Sequence, residues 1–328
     1  MVQQWTPPLT VATFAGEEGT LRQTSFVAAT QNLLIVQLEA EGRAFEVESS
    51  LRVHAGRGSI SRVGRQGETV SGHRAFLEGV EIESGAAAAI KILGAETSGL
   101  EDTPESAGLR FHVKPDETVF LVLAVESPFG DPSYQQRVRW TVGGLSLTDL
   151  VAIQREHSGW WVDYWARSHV ELGDDELEKH YYQSLYTMAA ASRDPRFPPG
   201  IFGWVTTDSP AWNGDYHLNY NHLAPFYALY SANRLQQADP EDAPLLAFRR
   251  RGRWYAREAL GQRGVLYPVG IGPLGIETTR GEEGVDSGHF EKGGLFFGQR
   301  SNGAYCLVNI AQRWRCTYDL AYARTVYP

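Results

Sequence analysis

Cysteine is almost absent from this chain. Among 328 residues there are two, Cys306 and Cys316. They stand ten positions apart in a segment of helical periodicity. A rise of ~1.5 Å per residue separates them by ~15 Å, well beyond the ~7 Å between Cα atoms that a disulfide tolerates. They cannot pair with each other, and the redox compartment stays open. Long apolar runs are also missing. No stretch approaches the ~20 residues of a membrane span, and the opening Met1-Val2-Gln3-Gln4-Trp5-Thr6-Pro7-Pro8 has neither the basic start nor the apolar core of a signal peptide. Basic residues are outnumbered by acidic ones, 30 against 39, for a formal charge of -9 and a pI near 5.5. That balance gives no electrostatic reason to bind nucleic acid. The one basic run, Arg249, Arg250, Arg251 and Arg253, lies in a helix-like stretch after Glu241 and Asp242 and reads as a solvated face. Catalytic signatures are missing too: no phosphate loop ending in Lys-Ser/Thr, no His-Glu-x-x-His or cysteine pair for zinc, no Gly-x-Ser-x-Gly elbow. Neither a metal nor a cofactor is expected.

What remains is an ordinary globular composition, 42% hydrophobic and 21% charged, in a chain long enough for two cores. Its halves differ in period. Up to about Leu147 the pattern is of short strands: Leu21–Ala28, Leu33–Glu41, Ala44–Val53, Ala87–Leu93, Leu109–Val113, Val119–Val125 and Val138–Val142. Many alternate, as in Phe45-Glu46-Val47-Glu48, with turn signals such as Glu41-Gly42 and Ser84-Gly85 between them. Short strands with regular turn punctuation predict an antiparallel β-sandwich over 1–147. Residues 148–173 form a Trp-rich connector carrying Trp160, Trp161 and Trp165; with Trp204 and Trp212 these crowd into one stretch, a first pointer toward sugar.

From Asp174 the period becomes helical. Acidic residues open a helix at Asp174-Asp175-Glu176, and further helical stretches are expected at His222–Gln237, Glu241–Leu260, Asn302–Thr317 and from Leu320. The fold class is thus multidomain β + α, with helices and loops over 174–328. Each amphipathic stripe must bury against a neighbour, so the last helices should expose apolar faces unless something else covers them.

The densest polar segment is Trp212-Asn213-Gly214-Asp215-Tyr216-His217-Leu218-Asn219-Tyr220-Asn221. His217, Asn219 and Asn221 alternate with Leu218 and Tyr220, and an extended backbone would turn all three to one side just before a helix. Each alone has a plain structural account: Asn221 as a helix cap, His217 as a satisfied core histidine, Trp212 as core. Together they suit a sugar, because amides and imidazole exchange hydrogen bonds with hydroxyls and aromatic rings cover the C–H face. Trp212, Asp215 and His217 are the candidate substrate contacts. A second candidate region holds Glu277, Asp286 and Glu291 on Gly-rich loops, followed by Gly298-Gln299-Arg300-Ser301-Asn302. There, capping or turn roles for Ser301 and Asn302 compete with binding.

The β-domain, the connector His157-Ser158-Gly159-Trp160-Trp161-Val162-Asp163-Tyr164-Trp165, and His217-x-Asn219-x-Asn221 before a helix together resemble glycoside hydrolase family 95, the inverting α-L-fucosidases and α-L-galactosidases. The resemblance implies a sandwich followed by an (α/α)6 barrel, of which 174–328 would be the first part. It implies an oligosaccharide or glycan substrate, Asn219 and Asn221 as catalytic residues that hold the attacking water, and His217 as a sugar contact. Amide oxygens are feeble bases, so a carboxylate must supply basicity. The family's general-acid Glu and the Asp partner of the asparagines would fall after Pro328, and further strands before Met1. The chain is therefore expected to be part of a longer enzyme and inactive alone, with Glu277, Asp286 and Glu291 as fallback carboxylates. The resemblance also points to an exported protein, which no residue here confirms. Alternatives are a sandwich-plus-barrel phosphorylase or rhamnosidase, and a non-catalytic sugar-binding protein.

Overall fold

The computed structural model of the protein describes residues 2–5, 8–56, 58–76, 81–200, 211–278, 299 and 301–327. The chain divides into two compact units, Met1–Ala166 and Arg167–Pro328.

The first unit contains β1 (Val2–Trp5), β2 (Pro8–Gly16), β3 (Gly19–Val27), β4 (Leu33–Glu41), β5 (Phe45–Arg52), β6 (Ile60–Gln66), β7 (Thr69–Phe76), β8 (Ser84–Leu93), β9 (Thr97–Gly99), β10 (Ser106–Val113) and β11 (Thr118–Glu126). Two helices follow, α1 (Tyr134–Gly144) and α2 (Leu147–Ala166). The strands make an eight-stranded sheet in the order β1-β2-β3-β4-β11-β8-β7-β6 and a three-stranded sheet β5-β10-β9, with antiparallel pairing throughout.

Alternation along the central strands explains why they read as nearly continuous apolar runs. One face of β4, β8 and β11 carries Leu38, Ile90, Ile92 and Val119, which pack with Leu109, Phe111 and Val113 of the small sheet. The opposite face carries Leu33, Ile35, Ala87, Ala89, Val122 and Ala124, which pack under Tyr134, Val138 and Val142 of α1 and Leu150 and Ile153 of α2. Side chains alternate with a period of two, so a strand covered on both faces must be apolar at every position.

The segment Val138–Val142, expected as a strand, is helical. Tyr134, Val138 and Val142 lie four apart and are all buried, whereas Trp140 is 63% exposed. A strand would have set Trp140 on the same face as the two valines, so apolar residues at alternate positions imitated a strand. The Trp-rich stretch up to Ala166 is the body of α2. That helix starts at a reciprocal cap, in which the Ser146 amide donates to Asp149 at 2.9 Å and the Asp149 amide donates to Ser146 Oγ at 3.3 Å. Its rings stack on one another: Trp160 on Tyr164 at 5.4 Å and Trp161 on Trp165 at 5.9 Å. Trp161 and Tyr164 are buried, so this aromatic crowding serves packing in the first unit.

The described residues of the second unit form helices and turns, with two strands of two residues each. In chain order come α3 (Asp175–Ala191), a 3₁₀ turn Ala211–Gly214, β12 (Tyr216–His217), a 3₁₀ turn Ala224–Phe226, α4 (Tyr227–Ser231) and α5 (Leu235–Ala238). A 3₁₀ turn Asp239–Asp242, α6 (Ala243–Leu260), β13 (Gly270–Ile271), a 3₁₀ turn Pro273–Gly275, α7 (Asn302–Thr317) and α8 (Leu320–Val326) follow. Asp174 caps α3 by accepting from the amides of Glu176 and Leu177, both at 3.1 Å, as the acidic run predicts. The helix expected over His222–Gln237 is broken. Asn233 adopts φ 56° between α4 and α5, a left-handed conformation in which asparagine is favoured over other side chains. The core is formed by Tyr216, Leu218, Leu223, Leu245, Phe248, Tyr255, Leu266 and Ile271 with Cys306. Cys306 is buried and Cys316 exposed on the same helix α7, and both are free. Leu307, Tyr318 and Leu320 near the C-terminus are more than half exposed, the uncovered apolar surface anticipated above. Among the described residues no helix is long and apolar enough to cross a membrane.

Candidate functional site

The backbone entering the polar segment is held by a short antiparallel pairing of β12 with β13, Tyr216 opposite Ile271 and His217 opposite Gly270. The Leu218 amide extends it by donating to the Val269 carbonyl at 2.7 Å. Extended structure stops there: residues 218–223 are turn, closed by the His222 amide on the His217 carbonyl at 2.8 Å. The period-two alignment of His217, Asn219 and Asn221 is therefore not what the backbone provides. The turn forms because Leu218 and Leu223, five apart, must both enter the core.

Trp212, Asp215 and His217 are brought together. Trp212 stacks on the His217 ring with centroids 4.5 Å apart and planes inclined by 26°, and it does so from φ 52°, a costly conformation for a bulky side chain. His217 Nδ1 donates to Asp215 Oδ1. The other carboxylate oxygen, Oδ2, accepts from Thr278 Oγ1 at 3.1 Å. It lies so close to Gly270 that a Cβ there would sit 2.2 Å away. Asp215 is buried, and burial pushes its carboxyl above the ordinary range, opposed by the His217 and Thr278 bonds.

Asn219 lines a cavity of about 590 Å³ together with Gln299, Ser301, Asn302, Ala304, Tyr305 and Val308. Its Oδ1 is buried without a hydrogen-bond partner among the described residues, a condition that costs ~1–3 kcal/mol unless something donates to it. Ser301 stands at the N-cap of α7 yet makes no side-chain cap bond, and Asn302 donates to the Tyr267 carbonyl at 3.5 Å. Asn221 is half-buried. The following 3₁₀ turn has Leu223 at its N-cap and no side-chain cap bond, so Asn221 is not the capping residue. Glu277 is buried and bridges Ile271 through the backbone. Asp286 and Glu291 lie outside the described residues.

Glu241 and Asp242, which precede the basic run read from sequence as a solvated face, are buried. Asn309 of α7 donates to Glu241 Oε1 at 3.3 Å and to the Leu223 carbonyl at 3.1 Å. His222 Nε2 donates to the Glu241 carbonyl at 2.8 Å. Tyr322 donates to Asp242 Oδ2 at 2.7 Å. Arg313 pairs with Asp239 at 2.9 Å and lies 4.0 Å over the Tyr322 ring. Desolvation, with Asp242 adding repulsion, raises the Glu241 carboxyl to about 8, and burial lowers His222 to about 4. Asn309, Tyr322 and Arg313 all come from more than 60 residues downstream of the carboxylates they serve, so no local pattern could reveal the cluster. Among the described residues no group of three or more His, Cys, Asp or Glu is placed to hold a metal ion.

No protein-family model and no curated protein matches the sequence. Solved structures do, and they are carbohydrate-active enzymes. A kojibiose phosphorylase candidate from the human microbiome aligns with a TM-score of 0.65 at 12% identity, over 96% of this chain and 42% of its own length. A bacterial glucoamylase solved with acarbose aligns with a TM-score of 0.46 at 10% identity, over 82% of this chain and 42% of its own. A family 92 α-mannosidase from Bacteroides thetaiotaomicron covers 55% of this chain with a TM-score of 0.23 at 12% identity. The phosphorylase alone carries the fold comparison, an antiparallel-sheet part followed by helices. The chain spans 42% of the length of that structure.

Proposed function

We infer that this chain is the sheet domain and the first helices of the (α/α)6 barrel of an inverting glycoside hydrolase resembling family 95, acting on α-L-fucosides or related L-sugar glycosides. The barrel part would begin near Asp174. The observation that carries a sugar ligand is the cavity beside Asn219. Its lining among the described residues consists of amides, a hydroxyl, a phenol and small apolar groups, which suits a polyhydroxylated molecule. The buried, unpartnered Asn219 Oδ1 calls for a donor such as a hydroxyl or a water. In this reading Asn219 and Asn221 orient the attacking water, while His217 and Trp212 contact the sugar. A carboxylic acid protonates the leaving group from ~6.5–9.5 Å across the site.

The test is hydrolysis of an aryl α-L-fucoside by the longer parent polypeptide, with the product anomer read by NMR. Inverted product is expected, and retained configuration overturns the assignment. The isolated chain should show little turnover, because a general acid is worth ~10²–10⁴-fold. Robust hydrolysis by it would move the acid to Glu277, Asp286 or Glu291.

A second reading is phosphorolysis of a disaccharide, favoured by the fold likeness to the phosphorylase candidate. Its signature would be sugar release that depends on inorganic phosphate and yields a sugar phosphate. Hydrolysis independent of phosphate eliminates it.

A further inference from the structure

Two side chains of the cavity beside Asn219 hold unused hydrogen-bonding capacity of opposite kinds. Asn219 Oδ1 is buried and has no partner among the described residues, so it lacks a donor. Tyr305 lines the same cavity, and its hydroxyl accepts from the Tyr227 hydroxyl at 3.4 Å. Burial, joined by the bond to Tyr305, raises the Tyr227 phenol above its ordinary range, so Tyr227 keeps the proton that it donates. A phenol has one proton to give, and among the described residues that of Tyr305 goes to no acceptor. Packing holds both rings, since Tyr227 and Tyr305 lie against the core of the second unit. Along α7 and its N-cap, Tyr305 and its cavity neighbours Ser301, Ala304 and Val308 recur at helical spacing, so one stripe of the helix forms this wall. A fixed acceptor and a fixed donor in one cavity match a group that gives one hydrogen bond and takes another. A neutral hydroxyl does both. A carboxylate only accepts and an ammonium only donates.

We propose that Tyr305 is a specificity-determining residue, donating to the same sugar hydroxyl that donates to Asn219 Oδ1. Tyr227 is a positioning residue that occupies the acceptor side of Tyr305 and leaves its proton for the ligand. Asn219 Oδ1 has two acceptor sites, so a sugar hydroxyl on one leaves the other for the attacking water. The proposal rests on the carbohydrate reading for the identity of the ligand, but not for the pairing of the donor with the acceptor. Nothing in the sequence around Tyr305 marks it, because only the fold brings it to the cavity of Asn219.

The experiment uses the full chain. Its ligand-free crystal structure should show an ordered water within hydrogen-bond reach of both Asn219 Oδ1 and Tyr305 Oη, since water gives and takes as a hydroxyl does. In Tyr305→Phe, which keeps the ring and loses the donor, that water should be lost or displaced. Side chains too far apart for one water to bridge, or a water unmoved in Tyr305→Phe, overturn the proposal. L-Fucose, D-glucose and their monodeoxy analogues are then titrated into the same proteins by calorimetry. The preferred sugar should bind Tyr305→Phe roughly tenfold more weakly, the loss of one good hydrogen bond. One analogue, lacking the hydroxyl that is read, should bind wild type with a similar loss and lose nothing further in Tyr305→Phe. Tyr227→Phe should show the same pattern at smaller amplitude and serves if Tyr305→Phe does not fold. Equal affinity in wild type and Tyr305→Phe, or losses that add for every analogue, overturns the recognition role. If the water bridges the two side chains but no sugar binds wild type, the carbohydrate reading fails and the donor–acceptor pair stands.

Discussion

Replacing Glu241 by glutamine should make the helical unit more stable in mild alkali, although Glu241 is buried and hydrogen-bonded. The carboxyl has a pKa of about 8 when folded and 4.5 when exposed, raised by burial and by the neighbouring Asp242. Between those values the folded chain holds a proton that the unfolded chain has released. Stability contributed by this group is therefore complete below pH 4.5 and is lost as pH rises to about 8. At ~1.4 kcal/mol per pH unit the whole loss is roughly 4–5 kcal/mol. His222 acts in the opposite sense. Its folded pKa of about 4 against 6.5 makes stability rise with pH through that interval, so the two slopes cancel between about pH 4.5 and 6.5. The uncompensated part, from about pH 6.5 to 8, should cost wild type roughly 2 kcal/mol. In Glu241→Gln the amide oxygen can still accept from Asn309, the ionisation is gone, and the curve should rise to pH 6.5 and then level. The assay is urea unfolding at pH 5.5, 6.5 and 8.5, followed by pulsed alkylation of Cys306, whose buried thiol reports on this unit alone. A wild-type stability that is flat or rising from pH 6.5 to 8.5, or a Glu241→Gln variant with the wild-type slope, would refute the reasoning.

Other outcomes follow from the same geometry. Leu150→Ala should cost ~2–5 kcal/mol in denaturant unfolding, because α2 is core to the sheet domain; a surface connector would lose almost nothing. Gly270→Ala should disturb the Asp215–His217 pair, visible as altered His217 NMR shifts, since its Cβ would overlap Asp215 Oδ2. Under the proposed glycosidase reading, Asn219→Ala should lower kcat far more than it raises KM, whereas His217→Ala should mainly raise KM. Equal effects on both constants for Asn219→Ala would argue against a role in orienting water. In the native chain Cys316 should react with a thiol reagent while Cys306 does not, because only the first is exposed.

The change from period two to helical period, the cap at Asp174 and the limits of β4 and α7 were written locally, and they could be read because each depends on residues within a few positions of one another. So could the crowding of polar and aromatic side chains over Trp212–Asn221, which no simple helix or strand requires. What the chain alone could not disclose was decided by distant partners. Val138, Trp140 and Val142 alternate like a strand, and only the sheet face waiting for Val138 and Val142 makes them a helix. Nothing local marks Glu241 and Asp242 for burial, which comes when Asn309, Arg313 and Tyr322 close over them. Trp160 and Trp161 belong to the aromatic crowding that points toward sugar, and the structure shows them packed on each other and on Tyr164 within α2. His217, Asn219 and Asn221 alternate in sequence, yet the demand that Leu218 and Leu223 both reach the core bends the backbone between them. Burial and pairing across more than 60 residues are tertiary quantities, and short-range periodicity carries no information about them.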